Sequence, residues 1–147
     1  MNDYTNNFKI KNVRNGWVKI TFGSNIIYGS YLNDLPIEWF KILYFTLNND
    51  LPFCLPINSE DSENIFVSNY DTTYFLKFDG ILFISVEIDY KSFALQVYNE
   101  LCKFKKEWIM WLPESDHYST EQKQEREKLI DFYINKIDSM LVLKKLI

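Results

Sequence analysis

The stretch G-S-Y-L-N-D-L-P-I-E-W-F (residues 29–40) marks the point at which this chain changes from strand to helix. Asp34 is typical of a helix N-cap, because its carboxylate can accept hydrogen bonds from the free amides of the first turn. Pro36 suits that turn, where a missing N–H costs little. The apolar residues that follow recur every three or four positions, which predicts an amphipathic helix ending near Asn48-Asn49.

The residues before this stretch predict β-strands. Residues 8–13 form a short predicted strand, and residues 17–22 alternate between apolar and polar side chains before a returning strand at 26–32. One face of this hairpin is expected to form the first core layer: Val18, Ile20, Phe22, Ile27, Gly29 and Tyr31. Gly29 has no side chain there, so something is expected to approach the sheet closely at that point.

The middle of the chain predicts further strands. Residues 51–56 read as a short edge strand or an extended segment with a proline near each end. Residues 65–68 read as a short strand after an acidic loop. Residues 72–78 and 81–88 flank Asp79-Gly80, a strong signal for a two-residue hairpin turn. One face of this hairpin would carry Thr73, Phe75, Lys77, Leu82, Ile84, Val86 and Ile88. The other face, which includes Tyr74 and Phe83, is also apolar, so the pair either lies inside a covered sheet or leaves one face for a partner.

Two more helices are predicted after Asp89, a second N-cap. A stripe at helical spacing runs along the first of them: Tyr90, Ala94, Val97, Leu101, Phe104, Trp108 and Trp111. Its end is apolar all round, so it is either covered on both sides or a contact site, and Pro113 stops it. Ser119 or Thr120 can cap the last helix, whose polar residues 121–128 are expected to project into solvent.

These elements predict a single α+β domain over residues 1–147, with residues 1–7 loose. The expected architecture is a mainly antiparallel sheet of six to seven short strands. One helix follows the third strand, and two C-terminal helices pack on the sheet. Aromatic residues make up 18% of the chain, which either fill this core or provide a contact surface.

The charge is unevenly distributed. The net charge is −4, and residues 51–100 hold eight acidic and two basic side chains. Proteins that bind nucleic acid directly usually carry a basic footprint, so no direct nucleic-acid binding is predicted, whereas concentrated acid can steer a basic protein. No signal peptide or membrane-length apolar run is evident, and a cytoplasmic protein is expected.

The sequence contains no recognisable set of catalytic, metal-binding or cofactor-binding residues. His117 is the single histidine, and Cys54 and Cys102 match no redox or metal spacing. No phosphate-binding glycine loop is present. The acidic loop lacks the glycine and ligand order of a common calcium site. A binding protein without enzymatic activity is therefore predicted. Its proposed partner-binding residues combine acidic and aromatic side chains: Glu60, Asp61, Glu63, Asp71, Tyr74 and Phe83. The alternative is that the acids are solvated and the aromatics are core.

The opening stretch also resembles the small immunity proteins of bacterial polymorphic-toxin systems, which include the contact-dependent growth inhibition immunity proteins. The matching residues are Gly29, Ser30, Tyr31, Leu32, Asp34, Leu35 and Pro36. The resemblance implies a cytoplasmic antidote that binds one cognate toxin and blocks its active site without chemistry of its own. Many such toxins are nucleases with basic clefts, where an acidic immunity protein can take the place of the phosphates.

Two other hypotheses remain open from the residues. The first is a small regulatory or structural module that forms homo-oligomers through Trp108, Met110 and Trp111. The second is an enzyme with an unrecognised site, which a deep pocket holding several convergent acids would support.

Overall fold

Seven antiparallel strands and four helices make up the part of the chain that the computed structural model describes, residues 8–14, 16–30, 34–59, 63–77, 82–112 and 119–145. The strands are β1 (Phe8–Arg14), β2 (Trp17–Phe22), β3 (Asn25–Ser30), β4 (Phe53–Pro56), β5 (Asn64–Ser68), β6 (Thr73–Lys77) and β7 (Leu82–Val86). The helices are α1 (Leu35–Asn49), α2 (Tyr90–Lys103), α3 (Lys105–Ile109) and α4 (Thr120–Leu143). The α+β class is confirmed.

The strands form two sheets, ordered β1-β2-β3 and β4-β5-β6-β7. The predicted facing of both hairpins is confirmed: Val18 pairs with Gly29 and Phe75 with Ile84, while Tyr31 and the Asp79-Gly80 turn lie outside the described residues. Of the two alternatives for the second hairpin, a place with strands on both sides holds for β6 but not for β7, which is the edge strand of its sheet. The chain enters α2 four residues after β7, and the described residues include no further strand beside it.

Aromatic side chains join the two sheets to the helices. Phe66 of β5 is fully buried, and its ring lies 5.0–6.1 Å, centroid to centroid, from five other rings. These rings come from both sheets and from α1 and α2: Phe8, Phe22, Trp39, Phe75 and Phe93. Much of the aromatic content is therefore core.

Gly29 is a point of close approach, as predicted. A Cβ added at Gly29 would lie 2.7 Å from Cγ1 of Ile57 and 3.0 Å from Cγ1 of Val18. One residue on, the Ser30 amide donates to the Asn58 carbonyl at 2.8 Å. The segment after β4 thus covers the end of β3 and links the two sheets.

Replacing Gly29 by alanine should lower the free energy of unfolding by about 1–2 kcal/mol, because a methyl group would overlap Ile57 in a packed core. Urea unfolding with an unchanged m-value measures this. The same substitution in an Ile57→Ala background should cost less, since alanine lacks the Cγ1 and Cδ1 atoms that the added methyl group would meet. An equal cost in both backgrounds would show that Ile57 is not the obstacle.

The start of α1 differs from the prediction. The Asp34 side chain makes no capping hydrogen bond. Instead its two carboxylate oxygens accept from Nη1 and Nη2 of Arg126 at 2.7 and 2.8 Å. The acid therefore joins α1 to α4 rather than satisfying the first-turn amides, because a bidentate ion pair is stronger than a neutral amide bond.

The tryptophan-rich end of the second helical segment is covered. The helix breaks at Phe104 (φ −111°, ψ 24°) into α2 and α3. Trp108 and Trp111 are fully buried, and their indole N–H groups donate to the carbonyls of Leu101 (2.9 Å) and Trp17 (3.0 Å). Trp108 and Trp111 are therefore not exposed for the proposed oligomer contact, whereas Met110 is half-buried. Pro113 lies outside the described residues.

Helix α4 packs mainly through its second half, where four side chains are buried: Ile130, Ile137, Met140 and Leu141. Ser119, one of the two predicted caps, forms a capping box with Gln122. Residues 121–128 are mostly exposed, as predicted, although Arg126 among them is anchored to Asp34. Near the other end, Nζ of Lys144 donates to the Leu47 carbonyl at 2.7 Å. Within the described ranges, none of the helices combines the length and apolar character needed to cross a bilayer.

Candidate protein-binding face

Two rows of residues at alternate strand positions cross the four-stranded sheet, and their described side chains lie away from the core. Strand register places them at alternate positions. The rows are Cys54–Val67–Tyr74–Ser85 and Pro56–Ile65–Leu76–Phe83, together called the outer face. Their centre is apolar and half-buried, whereas the intervening residues Leu55, Phe66 and Phe75 are buried. Tyr74 lies on this face as predicted; Phe83 holds the matching backbone position, and its side chain is outside the described residues.

The predicted acidic residues do not form one patch. Glu63 is exposed directly before β5, and Asp71 is exposed in the turn beyond its other end. A five-residue strand separates them, a distance of roughly 17 Å. Asp71 also accepts a hydrogen bond from the Thr72 hydroxyl at 3.1 Å. Glu60 and Asp61 lie outside the described residues.

Two residues near the outer face were missed by the sequence analysis. Tyr70 is 72% exposed and packs edge-on against Tyr90, with ring centroids 5.7 Å apart. Glu87, just past β7, is exposed at the same end of the sheet as Asp71. The sequence signal for Tyr70 was its place inside the predicted turn Asn69-Tyr70-Asp71, where an aromatic side chain is exposed to solvent. Acidic side chains therefore flank both ends of the outer face.

The sequence reinforces this sign of charge around the sheet. Residues 51–89, which contain all four strands, carry seven acidic side chains and a single basic one, Lys77. At neutral pH such a surface attracts positively charged proteins and repels phosphates.

The titratable groups do not supply an activated nucleophile in the described part of the chain. Desolvation raises the pKa of the Cys54 thiol and raises that of Cys102 to about 11, so both are protonated at neutral pH and weakly nucleophilic. Burial and a 2.6 Å hydrogen bond to Asp138 raise the pKa of Tyr98. Among the described residues, no three metal-ligating side chains lie close enough together to hold a metal ion. His117 lies outside the described residues.

The arrangement on the outer face is suited to non-covalent contact. Burial of the apolar side chains at its centre against a partner would stabilise the complex, because it removes them from water. The flanking carboxylates would orient a basic partner on the face. Comparison with models of protein families, with curated proteins and with solved structures found no match to this chain.

Proposed function

We propose that this protein is an immunity protein that binds a basic cognate toxin domain and blocks its active site, with no chemistry of its own. The observation that carries the proposal is the outer face of the four-stranded sheet, which combines a half-buried apolar centre with acidic residues at both ends. The resemblance of residues 29–36 to immunity proteins of bacterial toxin systems supports the same class.

The expected binding mode follows from these two parts of the face. The apolar centre, with Val67, Tyr74 and Leu76, would supply most of the affinity, as buried aromatic and aliphatic anchors do in protein interfaces. The acids at its ends would pair with basic groups on either side of the toxin's active-site cleft. A nuclease fits this description, because its cleft is basic where phosphates bind.

Co-expression with the product of the adjacent upstream gene is the first test. We expect a stable complex on co-purification and loss of the toxin's activity in the complex. The proposal fails if the neighbour has no toxic activity, or if a toxic neighbour neither binds this protein nor loses activity with it.

Reversing the charges of Glu63 and Asp71 to lysine should slow association with the toxin by about tenfold at low salt, because electrostatic steering acts mainly on the on-rate. The salt dependence of the on-rate should flatten, and the off-rate should change less. Adding Glu60→Lys and Asp61→Lys should extend the effect. Stopped-flow or surface-plasmon kinetics measure these rates.

The matched control is Glu121→Lys with Glu125→Lys, which changes net charge equally at exposed positions on α4. Its on-rate should stay close to that of the unmodified protein. An equal slowing in the control, or an unchanged on-rate in the Glu63 and Asp71 variant, would place the interface away from the outer face.

A further inference from the structure

The three-stranded sheet also has an exposed side, and its charge is positive, whereas the outer face of the four-stranded sheet is flanked by acidic residues. Trp17, Ile26 and Tyr28 are 43%, 54% and 55% exposed there. Strand register sets beside them three cross-strand rows: Arg14–Trp17, Asn12–Lys19–Tyr28 and Lys9–Thr21–Ile26. This surface is called the basic face. The first two rows place a basic side chain beside an aromatic one, and the third combines Lys9 with Thr21 and Ile26.

No acidic residue occurs in residues 8–30, although the whole chain has a net charge of −4. The four basic residues of this segment are Lys9, Lys11, Arg14 and Lys19. Glu100, on the neighbouring helix α2, is compensated: one carboxylate oxygen accepts from the Ile10 amide at 2.9 Å, and the other pairs with Lys103. The whole-chain charge, which predicted no direct nucleic-acid binding, therefore averages over two oppositely charged sheets.

A cleft of about 300 Å³ lies on the basic face. Its lining comes from all three strands: Asn12, Arg14, Trp17, Val18, Lys19 and Tyr28. Trp17 and Tyr28 are diagonal neighbours on paired strands, a spacing within reach of one another's side chains. Guanidinium, ammonium and two aromatic rings thus surround one opening.

The charge of this face favours an anionic occupant, and the edges of the sheet favour one way of binding it. An extended acidic peptide binds a sheet most directly by adding a strand to an edge. On each edge one amide is already used: the Ile10 amide on β1 donates to Glu100, and the Ser30 amide on β3 donates to Asn58. Strand addition is thereby hindered, which favours recognition across the flat face, where stacking on aromatic rings combines with backbone charge, as in the binding of single strands.

We propose that the basic face binds single-stranded RNA, with bases stacked on Trp17 and Tyr28 and phosphates held by Arg14, Lys19 and Lys9. RNA is favoured over DNA because the Asn12 amide and the Thr21 hydroxyl lie in the same rows and can bond to a 2′-hydroxyl. This site uses a different sheet from the outer face and does not rest on the proposed toxin binding.

Tryptophan fluorescence gives a direct test with the full-length protein. Trp17 is the exposed member of the four tryptophans, since Trp39, Trp108 and Trp111 are fully buried. Titration with a twelve-nucleotide oligouridine at low salt should quench the Trp17 emission. The logarithm of the affinity should fall with the logarithm of salt concentration with a slope of about −2 to −3, as expected for three or four phosphate contacts.

Variants separate stacking from charge. Trp17→Leu should weaken binding about tenfold and remove most of the quenching, and Arg14→Ala with Lys19→Ala should weaken binding at least tenfold and flatten the salt slope. Lys123→Ala with Lys128→Ala on α4 is the control and should bind as the unmodified protein does. Circular dichroism should be unchanged in all variants, because the replaced side chains are solvent-accessible.

Several results would overturn the proposal. Absence of quenching at low salt would do so, as would equal weakening in the α4 control, which would show non-specific attraction. Equal or tighter binding of twelve-nucleotide oligodeoxyuridine, which differs from oligouridine only in the 2′-hydroxyl, would contradict the preference for RNA. Binding of polyglutamate without binding of oligouridine would identify an acidic protein as the partner.

Discussion

Replacing Phe66 by alanine is expected to lower the free energy of unfolding by about 3–5 kcal/mol, because the substitution removes buried area and leaves a cavity that the surrounding rings cannot close. The Phe66 ring contacts side chains from both sheets and from α1 and α2. Its loss would therefore weaken every layer of the fold together. Urea unfolding should show a lower midpoint, with a cooperative transition.

Two comparisons sharpen this result. Phe66→Leu keeps most of the volume and should cost less than half as much as the alanine variant. Phe132→Ala removes the same side chain from a 51% exposed position on α4 and should cost under about 1 kcal/mol. If both alanine variants lost similar stability, Phe66 would not be the centre of the core.

Replacing Arg126 by alanine is expected to cost about 2–3 kcal/mol. Its side chain is 9% exposed, and its guanidinium bonds both oxygens of Asp34 and the Trp108 carbonyl at 2.7–2.9 Å. Breaking a fully buried ion pair costs more than this, about 3–5 kcal/mol. Here the Asp34 carboxylate is 33% exposed, so water can replace part of the lost interaction. Chemical denaturation measures the change.

The Arg126→Ala variant should loosen one region of the molecule more than the rest, which distinguishes it from a general loss of stability. Amide hydrogen exchange in the first turns of α4 should accelerate more than exchange in β5 or β6, because Arg126 holds those turns against α1 and α3. Arg126→Lys keeps the charge but lacks the bidentate geometry, so an intermediate cost is expected. Uniform acceleration across the molecule would contradict the anchoring role.

The two sheets also bear on how the candidate surfaces work. Phe8 and Phe22 of one sheet meet Phe66 of the other in the core, so the basic face and the outer face are backed by the same rings. Such support keeps the exposed side chains in place before a partner arrives, which lowers the entropic cost of binding. Core substitutions are therefore expected to weaken both surfaces.

Much of the local structure could be predicted from the residues. The facing of the hairpins followed from the two-residue period of strands, and the caps at Asp89 and Ser119 followed from side chains that reach their own first turn. Gly29 was predicted to admit a close neighbour, although nothing in the pattern named Ile57. These features depend on residues within a few positions of one another, or on the absence of a side chain.

The candidate site was predictable only in part. Alternation along β6 placed Tyr74 on the outer face, because alternation is a local property. Adjacency in sequence suggested that Glu63 and Asp71 share a patch, but an extended strand carries its two ends apart. The position of the Tyr70 ring depends on a contact with Tyr90, twenty residues away, which the local pattern does not indicate.

The sequence by itself determined the α+β class, the strand facing, the close approach at Gly29 and most helix boundaries, since local sterics and periodicity decide them. The tertiary structure alone decided that Asp34 pairs with Arg126, 92 residues away, that the tryptophan-rich end is covered, and that the strands divide into two sheets. It also placed the basic side chains of β1 and β2 on one surface and the acidic ones around another. Long-range packing selects among contacts that are equally compatible with local pattern, and net charge does not record where charges lie.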